Sequence, residues 1–227
     1  MNTTTEQINA ESRVGGLASE YPLSTRVFHR HGIDFCCGGG KPLSEVCANK
    51  GLDTESILKE IEDELAQAVD QGPSWNVVPL PSIIEHILET YHKPLKEELP
   101  RLQAMADKVN RVHGDKAPDV FPELTEVFTA LHEELAEHMV KEEEVLFPMI
   151  IEGKGQMAGQ PVAAMESEHD SAGNALKRLN ELTDGYTVPA GACNTWTALW
   201  HGLAALERDM HQHIHLENNI LFPRALG

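Results

Sequence analysis

An eleven-residue pattern occurs twice in this chain of 227 residues: HMVKEEEVLFP at 138–148 and HIHLENNILFP at 213–223 both read H-x-x-x-E-x-x-[VI]-L-F-P. A lone histidine precedes each copy on an earlier apolar stretch, His92 before the first and His169 before the second, at nearly equal distances. A helix pair used twice brings equivalent residues together about a pseudo-twofold axis. That is a direct way to assemble a site for two metals.

The text around these residues has the three-to-four-residue apolar period of amphipathic helices and no convincing alternation of β-branched residues, so the fold class is all-α, a four-helix bundle. Ser82 is a plausible N-cap for a first helix carrying Ile83, Ile84, Ile87, Leu88, Leu95 and Leu99, kinked at Pro94 and Pro100. A second helix runs through Leu124, Phe128, Leu131 and Leu135 to Phe147, with Pro148 ending it. Pro161 suits the first turn of a third, closed by Asp184-Gly185, and the fourth carries Leu199, Leu203, Leu206 and Met210 and ends near Pro223.

Residues four apart on a helix share a face, so His138 and Glu142 point to one place and continue the stripe of Leu131 and Leu135. His213 and Glu217 likewise continue that of Leu206 and Met210, while His92 and His169 lie among the apolar residues of their own helices. One histidine on an apolar stripe is ordinarily a core residue bonded to a backbone carbonyl. Four imidazoles and two carboxylates buried together are different, since each would cost several kcal/mol without a partner. We therefore read His92, His138, Glu142, His169, His213 and Glu217 as metal ligands. Imidazole and carboxylate suit zinc, iron, copper and manganese alike. The absence of cysteine from the repeat speaks against a structural zinc site or an iron–sulfur cluster. Six ligands for two metals leave both short of six-coordination unless the carboxylates bridge and an oxo or hydroxo group joins the metals, which is the habit of a non-haem di-iron centre.

Upstream, breakers at Gln71-Gly72-Pro73-Ser74 and Val78-Pro79-Leu80-Pro81 mark a linker, dividing a small helical N-terminal domain, residues 1–72, from the bundle, residues 80–227. The small domain holds the stretch FCCGGGKPL, with the adjacent thiols Cys36 and Cys37. No proposed ligand precedes the linker. The formal net charge of -18 makes nucleic acid and anionic membranes poor partners. No run of residues is apolar enough for a membrane span, no signal sequence opens the chain, and four cysteines make no disulfide framework, so the expected location is the cytoplasm.

The motifs FCCGGGKPL, ETYH, HEELAEHMVKEEEVLFPMI, MESEHD and HIHLENNILFPRAL, spread over nearly the whole chain, resemble the di-iron family that repairs iron–sulfur clusters, whose main domain is similar to hemerythrin. The resemblance implies two iron ions with the four histidines as terminal ligands and Glu142 and Glu217 as bridges. It also implies iron–sulfur proteins damaged by oxidative or nitrosative stress as partners. It leaves open whether the centre donates iron, acts as an enzyme that reduces nitric oxide, or binds oxygen or nitric oxide as hemerythrin binds oxygen. The equal division of the ligands favours repair or redox chemistry over oxygen carriage. Association as a homodimer stays open. Cys36 and Cys37 match the family's small domain and are expected to pass on iron or electrons. Glu134, one turn before His138, and Glu168, beside His169, are candidates to accept a hydrogen bond from a ligand or to relay protons.

Overall fold

The computed structural model describes residues 8–67 and 74–227; Gln71, Gly72 and Pro73 of the expected linker lie outside them. Every element among the described residues is helical, apart from one isolated bridge between Arg13 and Pro42. No helix among them is long and apolar enough to cross a membrane. The chain divides into two compact units, Met1–Pro79 with Ile214–Pro223, and Leu80–His213 with Arg224–Gly227.

In the first unit, α1 (Val14–Glu20), α2 (Ser24–Arg30), α3 (Leu43–Lys50) and α4 (Thr54–Gln67) close over a core of Val14, Leu17, Val27, Phe28, Phe35, Leu43, Ile57 and Ile61. The glycine-rich stretch wraps around Asp34, whose carboxylate accepts from the backbone N–H groups of Cys36 at 3.1 Å, Cys37 at 3.0 Å and Gly38 at 2.9 Å. Aspartate can replace backbone partners in this way because its side chain is short enough to reach amides two to four residues on. Gly39 then passes so close to its surroundings that an added Cβ would stand 2.6 Å from the Phe35 carbonyl oxygen and 2.9 Å from the Gly15 Cα. Backbone atoms cannot move aside as side-chain tips do. Gly39→Ala is expected to destabilise this unit by about 1–3 kcal/mol, read as a lower midpoint of denaturant unfolding.

The bundle unit begins at α5 (Leu80–Ile87), which passes through a π-helical turn (Leu88–His92) into α6 (Lys93–His113). Next, α7 (Phe121–Lys141) passes through a second such turn (Glu142–Leu146) into α8 (Phe147–Ile151). The third helix, α9 (Gly159–Leu182), is uninterrupted, and α10 (Asn194–Leu216) runs through a third π-helical turn (Glu217–Leu221) into α11 (Phe222–Leu226). α6 packs along α7, and α7 along α9. Phe121 on α7 meets Trp196 of α10 edge to face, with ring centroids 4.9 Å apart. Gly202 on α10 admits Leu102 of α6, whose Cδ2 would lie 2.5 Å from an added Cβ.

The three widened turns have one cause in the sequence. Proline stands two residues past the end of each, at positions 94, 148 and 223, bringing no N–H and a ring that crowds the carbonyl four residues back. In each case the residue before the proline donates instead to the carbonyl five back: Lys93 to Leu88, Phe147 to Glu142, Phe222 to Glu217. The helix absorbs the proline by widening. This corrects three expectations. Pro148 does not end its helix, which runs on to Ile151, and the last helix continues past Pro223 to Leu226. The first helix starts at Leu80, with Pro81 in its opening turn, so Ser82 is a helical residue rather than the cap.

Candidate metal centre

All three π-helical turns carry residues of the repeat or its upstream histidine: His92 ends the first, Glu142 opens the second and Glu217 opens the third. With His138, His169 and His213 they are buried, none more than 2% exposed. Their side chains form two groups, His92, Glu142, His213 and Glu217, and His138, Glu142, His169 and Glu217, with the candidate ligating atoms in each within 4.8 Å of one another. Both carboxylates belong to both groups. The histidines sort crosswise: each group takes the upstream histidine of one copy and the repeat histidine of the other. Neither copy alone supplies a complete group, which gives the duplication a structural purpose.

His92 Nε2 lies 3.2 Å from His213 Nε2, and His169 Nε2 lies 3.1 Å from His138 Nε2. Such a contact is satisfied either by one ring donating to the other or by a cation that both rings bind. Glu142 favours the second. It is wholly buried, and its Oε2 stands 3.3 Å from Nε2 of both His92 and His138, one from each group. Neither of its oxygens receives a hydrogen bond. A buried carboxylate in that position, between two imidazole nitrogens, is strongly disfavoured without positive charge beside it. Nitrogen and oxygen donors at these separations fit cations bound at roughly 2.1 Å. The groups could hold metal.

The far side of two rings is also held. His92 Nδ1 contacts Glu143 at 2.8 Å, and Lys96 Nζ donates to the same carboxylate at 2.7 Å. His138 Nδ1 contacts Glu168 at 2.9 Å, and Lys141 Nζ donates to Glu168 at 2.6 Å. Burial raises both carboxyl groups, but lysine and imidazole together hold each below the ordinary glutamate range. Ionised, they accept from Nδ1–H and leave Nε2 as the lone-pair atom facing inward. Each group thus contains one imidazole fixed by a His–Glu–Lys chain. His213, in the first group, lies parallel to the Tyr91 ring with centroids 5.1 Å apart. Loss of such a carboxylate ordinarily weakens metal binding 10–100-fold, so Glu143→Gln and Glu168→Gln are each expected to show that loss in competition against a chelator.

Of the two acceptors expected from sequence, Glu168 meets a candidate ligand, whereas Glu134 is exposed and accepts from Ser171 Oγ at 2.9 Å. Glu143 went unrecognised. Its signal was present, since a residue next to Glu142 on a helix must leave the ligand face, but the direction of that departure depends on the π-helical turn.

The cysteine pair stays as thiols, with Sγ atoms 3.8 Å apart. Cys36 is buried, and its thiol is pushed well up by the neighbouring Cys37 thiol, by burial and by Asp34. With Asp34 the two form a third group of potential ligands. The Cys36 carbonyl accepts from Asn218 and Asn219, which follow Glu217 on the last helix. Cys47 is buried and Cys193 exposed.

The fold and the paired His–Glu groups define a cation-binding helical bundle. The chain matches the hemerythrin HHE cation-binding domain over residues 83–225, and a domain of unknown function over residues 10–65. An iron–sulfur cluster repair protein, YtfE, of Escherichia coli O8 (strain IAI1) is 46% identical over 94% of this chain and 96% of its own length. Proteins of the same description from Shigella boydii serotype 4 (strain Sb227) and Citrobacter koseri are 45% identical over the same shares. The chain therefore belongs to the iron–sulfur cluster repair family, with a hemerythrin-type domain as its main part.

Proposed function

We propose that this protein restores iron–sulfur clusters in damaged proteins, using two iron ions held by His92, His138, Glu142, His169, His213 and Glu217. The reading is supported by the description shared by its near-full-length relatives. The observation that carries it is the Glu142 carboxylate, buried without a hydrogen bond and equidistant from an imidazole of each group. In that position it would bridge two metals, and Glu217, common to both groups, would be the second bridge. The irons supply redox chemistry and transferable metal. The protein's own groups fix the imidazoles and exclude water.

On this reading residues 1–72 act as a delivery domain for the bundle of residues 80–227. Cys36 and Cys37, close together with Asp34 beside them, can take up iron in passage. The test is a time course of cluster recovery in a client protein whose cluster has been removed by nitric oxide or peroxide. Iron-loaded protein is expected to restore client absorbance and activity, and metal-free protein to fail. Equal recovery with both would overturn the reading. Replacing Cys36 and Cys37 together by serine is expected to leave two irons bound and to slow recovery several-fold. An unchanged rate at equal loading would remove delivery and leave the bundle's role intact.

A further inference from the structure

Iron that is handed on must leave a site whose ligands are almost completely buried. A cavity of about 410 Å³ opens along the start of α6 and reaches His92, bordered by Glu89, Lys93, Lys96, Glu97 and Glu143. Three carboxylates face two ammonium groups there, so the border carries a net negative charge that draws cations. At its inner end Glu143 is bound at once to His92 Nδ1 and, from outside, to Lys96. Carboxylate oxygen is a ligand type iron accepts. Lys96 is the group that occupies Glu143 on its exposed side.

We propose that this cavity is the port through which iron leaves the His92–His213 group, with Glu143 as the first acceptor and Lys96 as its latch. The inference rests on the reading of the chain as an iron donor. The step is ligand exchange only: the ferrous ion gives up His92, Glu143 exchanges the Lys96 ammonium for the metal, water replaces His213, Glu142 and Glu217 in turn, and no electron is transferred. Glu89 and Glu97 then offer oxygen ligands toward solvent. Because the cavity reaches His92, the iron of the His92–His213 group is expected to leave first.

The test follows iron transfer from the full-length reduced holoprotein to a ferrous chelator, read as the coloured complex. Uptake of cobalt(II) by metal-free protein, read by its visible absorption, gives the reverse passage. Lys96→Glu is expected to speed the first phase about tenfold, the low end of what field-guided passage of ions delivers. Glu89→Gln with Glu97→Gln, neither of which touches His92, is expected to slow release and uptake several-fold. Lys108→Glu, an exposed position elsewhere on α6, controls for net charge. Equal rates in all variants would overturn the port, as would an equal acceleration by Lys141→Glu on the His138 side. A protein that releases iron through the port but restores no client cluster would leave the port standing and overturn donation.

Discussion

Glu142→Leu is expected to abolish stable iron binding and to lower the melting temperature of the iron-loaded protein by roughly 10 °C. The carboxylate is the member of both groups that stands between imidazoles of each, so its loss affects both metals rather than one. A thousandfold fall in metal affinity removes about 4 kcal/mol of ligand stabilisation, and a domain of this size loses about 2–4 °C per kcal/mol. The same substitution should have the opposite sign in metal-free protein. There the wild-type carboxylate is buried with no hydrogen bond to either oxygen, and an apolar side chain of similar volume relieves that cost. Calorimetry with and without iron reads both signs, and metal analysis gives the iron-to-protein ratio. A variant that still binds two irons, or that is destabilised equally with and without metal, would refute the bridging role.

The candidate ligand set was legible because helical spacing and a repeat are both properties of sequence alone. His138 and Glu142 share a face whatever the rest of the fold does, and the second copy says that the face matters. Helix content was legible for the same reason. The grouping of the histidines was not, because the crosswise pairing of His92 with His213 and of His138 with His169 depends on how four helices pack. Pro148 and Pro223 misled the reading of helix ends, since the rule that proline breaks helices omits the option of a wider turn. That option is taken in the turns that carry His92, Glu142 and Glu217, where it changes the side-chain direction of candidate ligands. Asp34 escaped notice because its partners are backbone amides, which the sequence does not distinguish. His215 has no ligand spacing, and its actual place could not be read from its helix alone.

That place is the interior of the N-terminal unit, where the His215 ring meets Phe35 edge to face with centroids 5.5 Å apart. Burial pushes its imidazole down to about 4, against the opposing influence of hydrogen bonds to the backbone at Ala18 and Phe35. It is therefore neutral at pH 7, with Nδ1 accepting from the Asn219 amide at 3.2 Å and the other nitrogen donating to a main-chain carbonyl. Asn219 in turn donates to the Phe35 and Cys36 carbonyls at 3.2 Å each. One histidine thus fastens the loop that precedes the thiols to residues 214–223 of the last helix. His215→Ala removes the ring contact, withdraws the acceptor from Asn219 and strands a buried carbonyl, losses that together are expected to cost about 2–4 kcal/mol. Hydrogen exchange gives the local reading: amides of residues 33–40 should lose protection while those of α7 and α9 keep theirs. His215→Gln, which can restore one hydrogen bond but not the ring contact, should recover part of the loss. Unchanged protection at residues 33–40 in His215→Ala would show that the loop is held by Asp34 and the glycines alone.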